Sequence, residues 1–456
     1  MESIRDILQK QNSFFEKGYT KNINLRIDAL KKLKNSIKIN EENICKALKK
    51  DLNKSKFEAF ITEIGIVYDE ITVAIKNIKK WSRTKRVKTP ITNFLASSYI
   101  YSEPYGVVLI MSPWNYPFQL IMAPLVGAIS AGNCVLLKPS ELAVETEKII
   151  VKIIKDTFAS EYIGVTTGGV GESKAILKEK FDYIFYTGGI SVGKIVMKAA
   201  AEHLTPITLE LGGKSPCIVD TDANIDLAAR RIAWGKFLNA GQTCVAPDYL
   251  VVHKEIKNKL INSIKKYIKD YFGNNPMESE DYPRIINDKH FKRLQGYLNE
   301  GKIVLGGNTD TDNLYVEPTI IDEVDLRNKI MQEEIFGPIL PIIEFEHIHE
   351  VVHIVKNNPK PLALYYFSED KNKQEFVIKN ISFGGGCIND TIMHLSTSTL
   401  PFGGVGSSGM GSYHGRASFE TFSHKKSILK KSNLIDIKVR YAPFKGKLNL
   451  AKKLFK

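Results

Sequence analysis

The sequence predicts an α/β fold with mostly parallel, doubly wound sheets, on three observations. At 456 residues the chain is too long for one simple core and should divide into two or more domains. From about residue 106 onward, short apolar strands alternate with helix-length amphipathic segments. One of these strands runs directly into Thr187-Gly188-Gly189-Ile190-Ser191-Val192-Gly193 and a helix, where glycines let the backbone approach a phosphate at a helix N-terminus.

In chain order, residues 1–82 read as helices. Ile23, Ile27, Leu30, Leu33 and Ile37 recur at helical spacing, and a second stripe runs from Phe57 through Ile64, Ile71 and Ile78 to Trp81. Between 87 and 103 the composition turns to Thr, Pro, Ser and Tyr, with 97–101 a candidate strand. A strand at 106–111 ends at Pro113-Trp114-Asn115-Tyr116-Pro117, and a helix-like segment follows to 131. Next come a strand at 133–137, a helix at 143–158, a strand at 183–186 and a helix through 201. A second alternating region has strands at 249–253, 314–321, 339–345 and 364–367, a helix around Val351, and a close at 384–389. Residues 401–411 are too glycine-rich for regular structure and should wrap close to another backbone, while 434–439 reads as a short strand before a basic tail.

The composition, 43% hydrophobic and 25% charged, is that of an ordinary globular protein. The net charge of +14 comes from Lys and Arg spread along the whole chain, so no nucleic-acid partner is expected. Five scattered cysteines without a Cys-x-x-Cys pair point to a reducing compartment. The first residues show no basic-then-apolar leader, and no uncharged run reaches the ~18 residues of a membrane span, so the expected location is the cytoplasm.

The candidate chemistry sits between Pro206 and Pro247. Glu210 closes an apolar run against Gly212-Gly213, and Cys244 stands among small residues in Gly241-Gln242-Thr243-Cys244-Val245-Ala246-Pro247. A thiol is a strong nucleophile once ionised, and a carboxylate beside an apolar wall has its pKa raised toward that of a working base. Taken alone, the pair reads first as a buried small hydrophobe and a strand-end carboxylate, because free Cys is among the most buried residue types. His349-Glu350-Val351-Val352-His353 matches the two-histidine zinc pattern on a helix, but no third ligand stands in a supporting motif, and no metal is expected.

From about residue 20 to about residue 440 the chain resembles the aldehyde dehydrogenases. The resemblance rests on Pro113-Trp114-Asn115-Tyr116-Pro117, Lys138-Pro139-Ser140-Glu141, the Glu210 and Cys244 motifs, Glu333-Glu334-Ile335-Phe336-Gly337-Pro338 and Pro401-Phe402-Gly403-Gly404, all in order. It looks most similar to the class-three, fatty and aromatic aldehyde branch. The resemblance implies an NAD(P)-binding domain (1–82 and 103–210), a catalytic domain (211–412), a bridging or oligomerisation element (83–102 and 413–440) and a basic tail (441–456). It implies oxidation of a medium- or long-chain aliphatic or aromatic aldehyde to a carboxylic acid, with NAD or NADP as cofactor. Cys244 would be the nucleophile, Asn115 an oxyanion donor and Glu210 the base that activates water against a thioester. Lys138 and Glu141 would grip the adenosine ribose, Gly188, Gly189 and Gly193 the pyrophosphate turn, and Glu334 and Phe336 the nicotinamide ribose. A homodimer is implied as well. The alternatives are a CoA-acylating aldehyde dehydrogenase, against which Glu210 argues, and a cysteine esterase, which would leave the cofactor residues without purpose. One departure stands out: where the family turn usually reads Gly-Ser-Thr, this chain has Gly188-Gly189-Ile190 and lacks the hydroxyl. The tail, wound as a helix, places Leu448, Leu450, Ala451, Leu454 and Phe455 opposite Asn449, Lys452, Lys453 and Lys456. That stripe is expected to dock on the protein's own body, with weak peripheral contact to anionic membrane as the alternative.

Overall fold

The computed structural model describes residues 3–436 and 438–454. Its N-terminal part is helical, as the apolar stripes require: Ile23–Ile39 buries Leu30, Leu33 and Ile37, and Gly65–Trp81 buries Val67, Ile71 and Ile78. Between Lys56–Ala59 and Gly65–Trp81 the helix widens into one π turn, Phe60–Ile64, which buries Glu63 completely.

The first sheet has six strands in the order Gly409–Met410, Ile207–Glu210, Tyr183–Thr187, Val107–Met111, Cys134–Lys138, Ile163–Val165. All pair in parallel except Gly409–Met410. The chain builds outward from Val107–Met111, then returns to its other side with Tyr183–Thr187. That reversal is a switch point, and ligands of open α/β sheets bind in the crevice at the carboxyl ends of the strands there. Register aligns Met111 with Lys138 and Tyr186, and Thr187 with Glu210, so four of the motifs leave the sheet along one edge.

The second sheet has seven strands, parallel except at its first edge: Lys302–Leu305, Thr319–Asp322, Ile339–Phe345, Tyr249–His253, Pro216–Val219, Ala363–Phe367, Gly385–Ile388. Its inner strands are buried on both faces and therefore read as apolar runs without alternation. A third, antiparallel sheet joins Lys85–Val87, Ala96–Pro104 and Ser423–Lys431.

Four expectations need correcting. The strand expected over 314–321 is two, Tyr315–Val316 and Thr319–Asp322, in different sheets, because Pro318 stands between them. The glycine run does wrap against backbone, since a Cβ on Gly409 would lie 2.2 Å from the Leu209 carbonyl oxygen. It also contributes a two-residue strand, which its glycine content concealed. No strand forms over the described part of 434–439, where Lys438–Arg440 is a 3₁₀ turn. The strand lies earlier, at Ser423–Lys431, where nearly every residue is exposed and no buried face sets an alternation. Finally, the docking expected of the tail helix Leu448–Leu454 is not seen at the described leucines of its apolar stripe: Leu448 is 65% and Leu450 49% exposed. Phe455 and Lys456 lie outside the described residues.

Candidate active site

Two cavities meet at Cys244. The larger, about 700 Å³, opens at the carboxyl edge of the first sheet and is lined by Asn115, Gly188, Gly189, Glu210, Glu334 and Phe336 among others. The smaller, about 350 Å³, lies on the other side and is walled mainly by apolar side chains such as Ile61, Ile66, Leu120, Trp234, Ile392 and Leu395. Cys244, Leu120, Phe402 and Tyr413 line both. A molecule in each cavity would therefore meet at the half-buried Cys244 sulfur.

The cysteine loop is held in a demanding conformation. Helix Ile225–Phe237 ends in a short turn in which Asn239 (φ 52°) and Ala240 (φ 50°) adopt left-handed backbone, disfavoured for residues with a Cβ. Gly241 (φ 73°) follows, packed so tightly that a Cβ would sit 2.3 Å from the Gly337 carbonyl oxygen. The cysteine loop thus abuts the Glu334–Phe336 loop. Asn115, nearly fully buried, donates from Nδ2 to the Gln242 carbonyl at 2.9 Å. An amide nitrogen carries two hydrogens, so this bond fixes the plane and leaves the second N–H for a ligand. Tyr116 Oη and Thr243 Oγ1 lie 2.6 Å apart and tie the same two segments together.

Glu210 ends its strand with the carboxyl buried and both oxygens unpartnered among the described residues. Burial alone pushes its pKa well above the usual carboxylate range. Cys244 is likewise pushed up, first by burial and then by Glu334 and Glu210. Glu334 rises to about 8, through burial and then the nearby Asp248. Its carboxyl packs against Gly212, where a Cβ would fall 2.0 Å from Oε2. Carboxyl oxygens left buried without partners among the described residues, both of Glu210 and one of Glu334, mark a functional site better than they mark a stable core.

The cleft fits a dinucleotide. Gly189 is the N-cap of helix Ile190–Glu202 and makes no side-chain cap, so the first N–H groups of that helix remain available to an anion. A Cβ on Gly188 would lie 2.2 Å from the Tyr186 hydroxyl, so any side chain there would have to displace that ring. Beside Gly188, Thr187 Oγ1 is buried without a partner among the described residues, and Trp114 packs edge-on against Phe336 at 5.3 Å. Three residues singled out in the sequence do not line this cavity. Lys138 and Glu141 sit at the end of the neighbouring strand, with Lys138 Nζ bonded to the Pro139 carbonyl at 2.8 Å and to Glu141 at 3.3 Å. Gly193 packs on Leu211, 2.7 Å from where a Cβ would be, and serves helix–strand contact. Thr187, Trp114 and Tyr413 carried no separate signal in the sequence. A buried anchor behind the cleft also went unread: Lys214 meets Asp248 at 2.5 Å, and Asp248 accepts from Ile335 N at 3.0 Å, tethering the Glu334–Phe336 loop.

The two-histidine segment has ordinary packing. His349 stacks edge-on with Phe376 at 4.8 Å, and Glu350 accepts from the His347 and Glu346 backbones as a helix cap. Among the described residues no cluster of three His, Cys, Asp or Glu could hold a metal.

Comparison with known proteins gives a consistent picture. The sequence model described as "Aldehyde dehydrogenase family" matches residues 2–428. The 4,4'-diaponeurosporen-aldehyde dehydrogenase of Staphylococcus aureus is 50% identical, with 100% of each chain covered. The dimeric NADP-preferring aldehyde dehydrogenase of Rattus norvegicus is 45% identical, covering 98% of this chain and 99% of the relative. A solved structure described as the substrate-bound state of Staphylococcus aureus AldH superposes with a TM-score of 0.97 at 50% identity, over 100% of each chain.

Proposed function

The chain belongs to the aldehyde dehydrogenase family, enzymes that oxidise aldehydes with NAD or NADP, and from that premise we propose how its own residues carry the reaction. Cys244, as thiolate, adds to the aldehyde carbon. The oxyanion is held by the second N–H of Asn115 and the backbone N–H of Cys244. NAD or NADP, when bound in the larger cavity against Gly188, Gly189, Glu334 and Phe336, supplies the hydride acceptor. The resulting acyl group stays on Cys244 as a thioester until Glu210 takes a proton from the water that hydrolyses it. The observation carrying this reading is that the Cys244 thiol lines both cavities, with Asn115 and Glu210 on the cofactor side.

The smaller cavity supports a bulky apolar aldehyde, aliphatic or aromatic, over a short polar one. The three larger sheets support the division into cofactor-binding, catalytic and bridging parts given above, except that Gly409–Met410, within 211–412, pairs with the cofactor-side sheet. A homodimer is supported by exposed Val192, Ile195 and Met197 on helix Ile190–Glu202, and by the uncovered outer edge of strand Ser423–Lys431. The free, scattered cysteines support a cytoplasmic setting, and among the described residues no helix is long and apolar enough to cross a membrane.

The decisive test is Glu210→Gln. One equivalent of reduced cofactor should still appear as a burst while steady turnover falls by ~10²-fold or more. Loss of the burst together with turnover would give Glu210 an earlier role. We also propose weak contact of the tail with anionic membrane. Phe444, Leu448 and Leu450 are exposed beside Lys445, Lys447, Lys452 and Lys453, and no acidic residue follows Asp436. Co-sedimentation with anionic vesicles at low salt should retain the full chain and release one ending at Gly446; equal behaviour of the two sinks the idea.

A further inference from the structure

The face of Asn115 turned away from the cavities rests on three charged side chains that the chemistry above does not use. Lys54 follows helix Glu41–Leu52, Glu58 lies on Lys56–Ala59, and Glu63 lies in the π turn Phe60–Ile64. Lys54 and Glu63 are fully buried and meet at 2.5 Å. Burying an ion pair costs more than filling the same space with apolar side chains, so charges kept in such a place ask for a reason.

Each of the three also bonds to one of the two loops that make the site. Lys54 Nζ donates to the Asn115 carbonyl at 3.1 Å and sits 4.0 Å from the centre of the Tyr116 ring. The second oxygen of Glu63 accepts from the Phe118 and Gln119 backbone N–H groups at 2.9 and 3.1 Å, just past the Asn115 turn. Glu58 accepts at 2.9 Å from the backbone N–H of Asn239, one of the two left-handed residues that lead into the cysteine loop. The Asn239 side-chain amide then donates to the Asn115 carbonyl at 2.9 Å and to the Gln242 carbonyl at 3.1 Å. Neither loop has regular structure to satisfy its own backbone groups, and the left-handed turn is disfavoured unless its surroundings impose it. The π turn adds one residue to the helix and is a device often found at functional sites.

We propose that Lys54, Glu58 and Glu63 are positioning residues: a buried hydrogen-bonding cluster in the N-terminal helical region that sets the Asn115 amide and the Cys244 backbone against each other and so fixes the oxyanion geometry. The inference rests on the reading of Asn115 and Cys244 as oxyanion donors. Glu58 acts through Asn239, and Lys54 and Glu63 act through the Asn115 turn.

The experiment compares Glu58→Ala, Glu58→Gln and Asn115→Ala at 25 °C, after circular dichroism shows each folded at that temperature. Benzaldehyde oxidation and 4-nitrophenyl acetate hydrolysis are read together, because the second reaction needs the oxyanion donors and no hydride acceptor. Glu58→Ala should lower kcat in both reactions by 10- to 100-fold and leave the KM for the cofactor within twofold. Glu58→Gln keeps an oxygen that accepts from Asn239 and should restore kcat to within about threefold of the parent. Wild-type kcat in folded Glu58→Ala, or a loss that Glu58→Gln fails to rescue, overturns the proposal. Unchanged kcat in Asn115→Ala overturns the oxyanion reading instead. If Glu58→Ala does not fold, Asn239→Gly reaches the same link from the other side: glycine accepts the left-handed backbone but lacks the amide that holds Asn115. A tenfold or greater fall in kcat then supports the positioning role, and wild-type kcat ends it.

Discussion

The two cavities that share Cys244 are built from opposite materials. The larger is lined by backbone at glycines, by buried carboxyls and by the free end of a helix, groups that each recognise one feature of a particular molecule. The smaller is lined mainly by aliphatic and aromatic side chains and needs only to exclude water and fit a shape. Recognition of a fixed cofactor therefore demands residue types at set positions. Accommodation of an apolar substrate tolerates any wall of the right volume. The Cys244 sulfur, the reacting atom in the proposed chemistry, stands where a specific surface and a permissive one touch.

Cys244→Ser tests whether the two sides share one reacting atom. Dehydrogenase activity and ester hydrolysis should fall together by roughly 10³-fold or more, because an alkoxide is not available near neutral pH. Cofactor affinity, measured by fluorescence titration, should stay within twofold. Survival of either activity would mean that the cavities do not converge on this thiol.

Trp234→Ala separates the sides. Trp234 is half-buried and borders only the smaller cavity. Its removal should raise the KM for benzaldehyde about tenfold, about 1.4 kcal/mol, with the KM for the cofactor unchanged. Bulkier aldehydes should lose less or gain. A shift confined to the cofactor would reverse the assignment of the two cavities.

The same contrast explains what could be read before any coordinates. Glu210, Cys244, Asn115, Glu334 and Phe336 stand in motifs because, in the proposed chemistry, each meets a defined group, and the structure brings all five to the larger cavity. The walls of the smaller cavity come from separate stretches around residues 61, 120, 234, 392 and 413, and in sequence they look like any core residue. Lys54, Glu58 and Glu63 were hidden for another reason. Charged residues between the apolar positions of a helix read as its solvent face, yet Glu58 on Lys56–Ala59 and Glu63 in the π turn are buried, as is Lys54 in the loop before them. Strand Ser423–Lys431 was hidden because both of its faces are exposed, so no periodicity marks it. Parallel strands of the first sheet, by contrast, announced themselves as unbroken apolar runs between helices.

The smallest effect is expected at Gly189, and it probes the specific side alone. Gly189 has φ −73° and ψ 150°, a conformation open to any residue, and a Cβ placed there meets no atom within 4 Å. Gly189→Ser should therefore be accepted without strain. The new hydroxyl has two competing uses. Donated to a cofactor phosphate, it should tighten binding about fivefold, about 1 kcal/mol after desolvation, with the KM for the aldehyde unmoved. Turned back as a helix N-cap, it would accept from an N–H of the first turn and add a few tenths of a kcal/mol to stability. That N–H would then be withdrawn from the phosphate, so affinity would stay level or fall. Titration of NAD and of NADP, paired with a thermal melt of the free protein, distinguishes the two. Tighter binding with an unchanged melt shows that the turn meets the phosphates and that this chain works without a contact it has room for. A raised melt with unchanged affinity shows that the hydroxyl faces the helix, and places the phosphates on the backbone N–H groups alone.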